Sequence, residues 1–296
     1  MIQLDDLVQV EVTAAMQRRA ITYALRSIHY TYNRMGYADI GRRLPRIVAG
    51  IIAEEAVEAY FDRMQFAYEK SGRTHWRKID VAEFLIGGKR ADLKSYHVYP
   101  TPKRPIPQWL LEVEGLVPVD QLQRQSQDHV SIQAFLISPQ VNRSATHSYA
   151  QALSKEWADG IEELQLVKIG GLAESGVSRI HLLGEDDEGD AQWSISASDS
   201  TEIKPRSIQA MLAPAIPESS ITLDAGSAVC ELKPTGWHDL WMDNPDVWLA
   251  GWATRDEYLA GEQVPRGAKT AVYTQGTRTE NRCLMVPALQ PMSLLR

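Results

Sequence analysis

The sequence predicts an α/β fold, α+β in arrangement: a mixed central sheet flanked by helices, plus a β-rich insertion. Three observations lead there. Two long amphipathic helical stretches open the chain, short apolar or alternating strands follow between glycine and proline breaks, and residues from about 160 to 235 switch to strand periodicity alone. The expected organisation is N-terminal helices and core over 1–150, a β-rich insertion or small subdomain over 151–235, and C-terminal completion of the core over 236–296.

The first helix is read from Glu11 to Met35, with Met16, Ile21, Leu25, Ile28 and Tyr32 at helical spacing and Gly36 as its stop. Pro45 marks the start of a second helix over about 46–68, whose buried stripe is Ile47, Ile51, Val57, Phe61 and Met64. The polar, basic SGRTHWRKID reads as a loop or strand entry. Then DVAEFLI and RADLKSYHV form a hairpin around Gly87-Gly88, a pair that supplies the positive φ angles of a two-residue turn. YPTPKRPIP is a link, because proline can continue neither a helix nor a central strand. VSIQAFLISP is a buried strand over about 130–138, and 146–158 is helical. ELQLVKI, SRIHLLG and AQWSISA are strands, with the acidic GEDDEGD as a solvated loop. The C-terminal part adds the strand DVWLAGWA, the helix TRDEYLAGE and the strand KTAVYTQ.

Composition excludes several classes. The formal charge of −7 rules out a basic coat for non-specific DNA binding, although phosphate contacts need only a local basic surface. No apolar run reaches membrane-spanning length and MIQLDDLVQVEV lacks a secretory layout, so a cytoplasmic location and no membrane partner are expected. The two cysteines, Cys230 and Cys283, form no CxxC pair for zinc, and a disulfide between them is not expected in the cytosol. Phosphate-binding Walker loops, GxSxG elbows and dinucleotide-binding glycine patterns do not occur.

The chemistry gathers at the hairpin. Pairing outward from Gly87-Gly88 sets Phe84 against Ala91 and Glu83 against Asp92, and period-two alternation puts Lys94 on the same face as Asp92. Two opposed carboxylates repel, and a hard divalent cation relieves that repulsion. The plain alternative is a cross-strand ion pair, Glu83–Lys94 or Asp92–Lys94. Glu54 falls on the apolar stripe of the second helix and therefore needs a partner. Glu55 reads as the solvated neighbour and Glu58 as a weaker alternative. Gln133 is a polar residue inside an apolar strand, either functional or satisfied by backbone. Arg73, Arg77, Lys78, Lys103 and Arg104 flank the hairpin and are candidate phosphate contacts. His75, His97, His147 and His238 show no metal spacing and read as structural. The four tryptophans of GWHDLWMDNPDVWLAGW read as packing rather than base-stacking residues.

AEEAVEAYF, then EFLIGGKRADLK, then a strand bearing Gln133 resembles the PD-(D/E)xK nuclease superfamily, over roughly 46–138 and 236–290. Asp92-Leu93-Lys94 looks like its (D/E)xK element. Glu83 stands where aspartate is usual, no proline precedes it, and Asp80 is the rival first acid if a bulge reverses the face. VWLAGWATRDEYL is similar to a late core strand and helix of restriction-endonuclease-like proteins.

The resemblance implies a restriction-endonuclease-like core in which Glu83 (or Asp80), Asp92 and the Leu93 carbonyl bind Mg²⁺, with Mn²⁺ as a substitute. Lys94 would assist the attacking water, and Glu54 and Gln133 would complete the site. It further implies an endonuclease hydrolysing DNA to 5′-phosphate ends, type II restriction-like or anti-phage, working as a homodimer or beside a methyltransferase or ATPase. The alternative is a non-catalytic nucleic-acid-binding or assembly subunit on the same fold.

Overall fold

The computed structural model describes residues 1–27, 40–71, 82–98, 103–138 and 242–296 (except 243 and 275), and the backbone of six strands between 165 and 235. After a short 3-10 turn come β1 (Val8–Glu11), α1 (Ala14–Ser27), α2 (Ile40–Arg63), β2 (Tyr68–Lys70), β3 (Phe84–Ile86) and β4 (Lys89–Val98). They are followed by α3 (Ile106–Leu110), β5 (Glu114–Pro118), α4 (Val119–Leu122) and β6 (His129–Ile137). The inserted strands are β7 (Gln165–Gly170), β8 (Arg179–Asp186), β9 (Gly189–Ser196), β10 (Ala210–Ala215), β11 (Ser220–Asp224) and β12 (Glu231–Thr235). β13 (Asp246–Thr254), α5 (Arg255–Ala260), β14 (Glu262–Val264) and β15 (Asn281–Met285) end the series.

The α/β content is thus as expected, around a six-stranded mixed sheet in the order β1-β13-β6-β4-β3-β2. Only β4 and β6 pair in parallel; β13 lies antiparallel to β6 on its other side. β6 is buried along its whole length, which is why it reads as a nearly continuous apolar run. One face of the sheet carries α1 and α2: Ile21, Ile52, Ala53 and Val57 close over Leu93, Ile132, Ala134 and Leu249. The other face, with Tyr96, Phe135 and Ile137, is covered by Trp109, Leu110, Leu116 and Tyr258. Those four come from α3, the small sheet β14-β15-β5, and α5.

β7–β12 pair only with one another among the described strands, as the antiparallel sheets β10-β7-β12 and β11-β8-β9. Much of GEDDEGD belongs to the paired ends of β8 and β9 rather than to a loop.

Several expected boundaries move. Pro45 lies inside α2, not at its start, in the second turn, where it cannot donate to the carbonyl of residue 41. α2 also stops at Arg63 rather than Tyr68. Gln65 takes φ 55°, the Phe66 amide donates to the Phe61 carbonyl at 2.9 Å, and the Gln65 amide to that of Asp62 at 3.1 Å, a Schellman stop that frees Tyr68 for β2. The buried stripe is Val48, Ile52, Ala53, Ala56, Val57, Tyr60 and Phe61, while Met64 is exposed. Alanines set this phase, because they allow the helix close to the sheet, and a pattern built on large residues misses them. KTAVYTQ is irregular rather than a strand. β15 takes that role, its edge partners being β14 and β5. Residues 28–35 of the first expected helix and the expected helix over 146–158 fall outside the described residues, as do Trp237 and Trp241. Trp252 is buried and Trp248 packs against the second-face core, in keeping with a packing role.

Candidate active site

Gly87 and Gly88 adopt φ 55° and 75°, the two positive values of the tight hairpin turn, and the strands pair as Phe84↔Ala91, Leu85↔Arg90 and Ile86↔Lys89. One step further, the Glu83 amide donates to the Ala91 carbonyl at 2.9 Å, so Glu83 lies beside the start of Asp92-Leu93-Lys94. Its Oε2 accepts the Leu93 amide at 2.7 Å, filling the ladder position that β3 is too short to occupy. Phe84, Ala91 and Leu93 face the helices, so Asp92 and Lys94 face the opposite layer; Glu83 is a bend residue just outside β3, and the ladder stops at Phe84↔Ala91, short of the expected pairing of Glu83 with Asp92.

Asp92 is 5% exposed. Its Oδ2 receives the ammonium of Lys94 and, at 2.9 Å, the amide Nε2 of Gln125. These bonds leave Oε1 of Glu83 and Oδ1 of Asp92 outside them. Burial first, then the charge of Asp92, pushes the Glu83 carboxyl well above the usual carboxylate range; Glu54 adds to the push, and Lys94 and the Leu93 amide oppose it. Burial combined with like charge is the environment that a bound cation relieves. Glu83 and Asp92 are hard oxygen donors crowded by their own charge, the donor type that a divalent ion takes. Among the described residues no group of three His, Cys, Asp or Glu side chains is placed to hold a metal.

Comparisons with protein-family models, curated proteins and solved structures give no match.

Glu54 belongs to the side of the α2 stripe rather than its centre. It is half-buried, with Lys70 Nζ 3.7 Å from its carboxylate, and it acts on Glu83 through charge. The rotated stripe is the reason: Ala53 and Ala56 take the inward positions. Glu55 is held by Arg19 at 2.9–3.0 Å and Glu58 by Lys70 at 2.5 Å, so neither is simply solvated. Gln133 is the parallel-register partner of Lys94 and shares its face. It is fully buried, and its Oε1 accepts from the Tyr96 hydroxyl at 2.9 Å. Gly115 leaves the room for it, since a Cβ there would lie 2.8 Å from the Gln133 side chain. Gln133 therefore underpins the sheet beside Lys94 and does not reach the solvent side. Lys103 and Arg104 are exposed, and Arg104 is bonded to Glu112 at 2.6 Å. Asp80, Arg73, Arg77, Lys78, His75, His147 and His238 lie outside the described residues. His97 is exposed and, by alternation, on the opposite face from Lys94.

Sequence reasoning missed three neighbours of Asp92. Ser131 is its register partner, Gln125 bonds to it, and His129 lies on the same face of β6 close enough for the two charges to interact. Ser131 and His129 share the strand alternation of Gln133 and were legible in that way. Gln125 follows a four-residue helix, and no periodicity marks it.

Proposed function

We propose that the chain is a divalent-metal-dependent nuclease hydrolysing DNA phosphodiester bonds, of the restriction or anti-phage kind, on a restriction-endonuclease-like core. The observation that carries this reading is the cluster at Asp92-Leu93-Lys94: Glu83 Oε2 accepts the Leu93 amide, the charge of Asp92 acts on the Glu83 carboxyl, and Lys94 is ion-paired to Asp92. Glu83, Asp92 and the Leu93 carbonyl are the residues that would hold Mg²⁺ or Mn²⁺. The ion supplies Lewis acidity to the phosphoryl oxygen and to the attacking water. Lys94, only 12% exposed in its side chain, places one localised positive charge where negative charge grows on phosphorus. Gln133 and the buried layer under it keep Lys94's strand from shifting. Lys103 and other basic residues outside the site hold the phosphate backbone, and the strands of 165–235 read the DNA or bind a partner, a second copy of the chain, a methyltransferase or an ATPase.

Plasmid incubated with the full chain and Mg²⁺ or Mn²⁺ tests the reading. Cleavage is expected, with Lys94→Ala and Asp92→Asn slower by about a hundredfold or more. Equal products from the wild type and both variants would remove the catalytic assignment. The Lys94–Asp92 ion pair also suits a second reading, a non-catalytic nucleic-acid-binding or assembly subunit on the same fold. That reading expects DNA retention in a gel shift without cleavage in either metal.

A further inference from the structure

Polar atoms that are buried and unbonded are rare in folded proteins, and among the described residues three of them belong to neighbours of Asp92. Gln125 Oε1, His129 Nε2 and Ser131 Oγ are all buried without a hydrogen-bond partner. The three residues are tied to one carboxylate by a bond, a ladder position and a charge interaction. Gln125 grips Asp92 Oδ2 at 2.9 Å, Ser131 is its neighbour across the β4–β6 ladder, and His129 lies two residues before Ser131 on the same face. His129 Nδ1 accepts the Ser126 amide at 3.0 Å, which places the ring proton on Nε2. The unmet set is thus one acceptor (Gln125 Oε1), one donor (His129 Nε2–H) and one hydroxyl able to do either. That is the complement of a single water molecule, which offers two protons and two lone pairs.

We propose that Gln125 is a positioning residue for Asp92, locked by an ordered internal water held between Gln125 Oε1, His129 Nε2 and Ser131 Oγ. The water fixes the far end of the Gln125 amide, so its Nε2 stays on Asp92 Oδ2. Asp92 then keeps Oδ1 outside that bond instead of rotating it toward Lys94. The water stands on the hydrogen-bond inventory alone; its consequence for cation binding rests on the nuclease reading above.

A crystal structure of the full chain, at a resolution that shows ordered water, is the direct test. Density within hydrogen-bond distance of at least two of the three atoms is expected, and a dry site overturns the proposal. Ser131→Ala provides an independent sign. If Ser131 Oγ bonds a water, its loss lowers Tm by a few degrees; if the atom is a dry orphan, its removal raises Tm, which overturns the proposal. Mn²⁺ affinity measured by calorimetry on wild type and Gln125→Met reads the positioning role. A loss of about tenfold at unchanged fold is expected, and equal affinity overturns that role. A wild-type chain that binds no Mn²⁺ would instead defeat the metal reading, with the crystal and Ser131→Ala results still deciding on the water.

Discussion

Glu83 is the residue whose environment and proposed task conflict most. Its carboxyl is pushed well above the ordinary range by burial and by Asp92, yet cation binding needs it ionised. The stability consequence has a definite sign. Below the unfolded value of 4.5 the group is protonated in both states and costs nothing. As pH rises past that point the unfolded chain ionises first, the folded chain binds more protons, and stability falls until the folded value is passed. Glu83→Gln keeps an oxygen for the Leu93 amide and removes the titration. Its Tm is expected to match wild type at and below about pH 4.5 and to exceed it increasingly as pH rises from there, until the folded group ionises as well. Each pH unit within the window is worth up to about 1.4 kcal/mol. Thermal melts across that range check this, and a constant difference between the two chains would show that Glu83 ionises normally.

At the scale of elements, two glycine positions make the β-structure that carries the site, and they differ in kind. Gly88 has φ 75° with open space around it, so Gly88→Ala meets only the backbone penalty, about 1–2 kcal/mol. Gly251 sits at the register shift in β13, with φ 134°, and a Cβ there would lie 2.6 Å from the Gln290 carbonyl oxygen. That shift lets Leu249 and Trp252 both serve the helix-side core while Ala250 and Ala253 serve the other. Gly251→Ala is expected to cost more than Gly88→Ala, about 3 kcal/mol or above, and urea melts of the two variants give the ranking. The first of these positions was legible in the sequence, since a Gly-Gly pair between apolar runs has one common use, and with it came the nearness of Glu83 to Asp92-Leu93-Lys94, though not the bend at Glu83 that ends the ladder before the two acids pair. The second was not, because a bulge answers to a neighbouring carbonyl that belongs to a distant segment. The phase of α2 was lost for a related reason: Ala53 and Ala56 are inward because the sheet comes close there, and an alanine shows no preference until its neighbour is known.

Across the whole molecule, the long-range arrangement explains what no local pattern could convey, namely that β13 is a central strand between β1 and β6. Its first residue, Asp246, is the register partner of Ile137, the last residue of β6. The chain therefore leaves the sheet and returns to it at adjacent positions, and of the described strands between them β10 also touches α2. Met242 must stay, because it is buried in the core and exchanges hydrogen bonds with Gln17 at 2.9 and 3.1 Å. Replacing residues 139–240 with a Gly/Ser linker of about eight residues should then leave the six-stranded sheet intact. A short closure also constrains the chain less unfavourably than a long one, by about 0.6 kcal/mol for each halving of the loop. The shortened chain is expected to unfold in one cooperative transition and to retain Mn²⁺ binding that Asp92→Asn abolishes, with affinity rising with pH as Glu83 gives up its proton more readily. On the proposed reading, in which the strands of 165–235 read the DNA, sequence-dependent DNA binding should be lost with them. Calorimetry and filter binding on the two lengths separate these effects: cation binding that vanishes with the insertion would place the site's missing ligands in residues 139–240 and not in the hairpin.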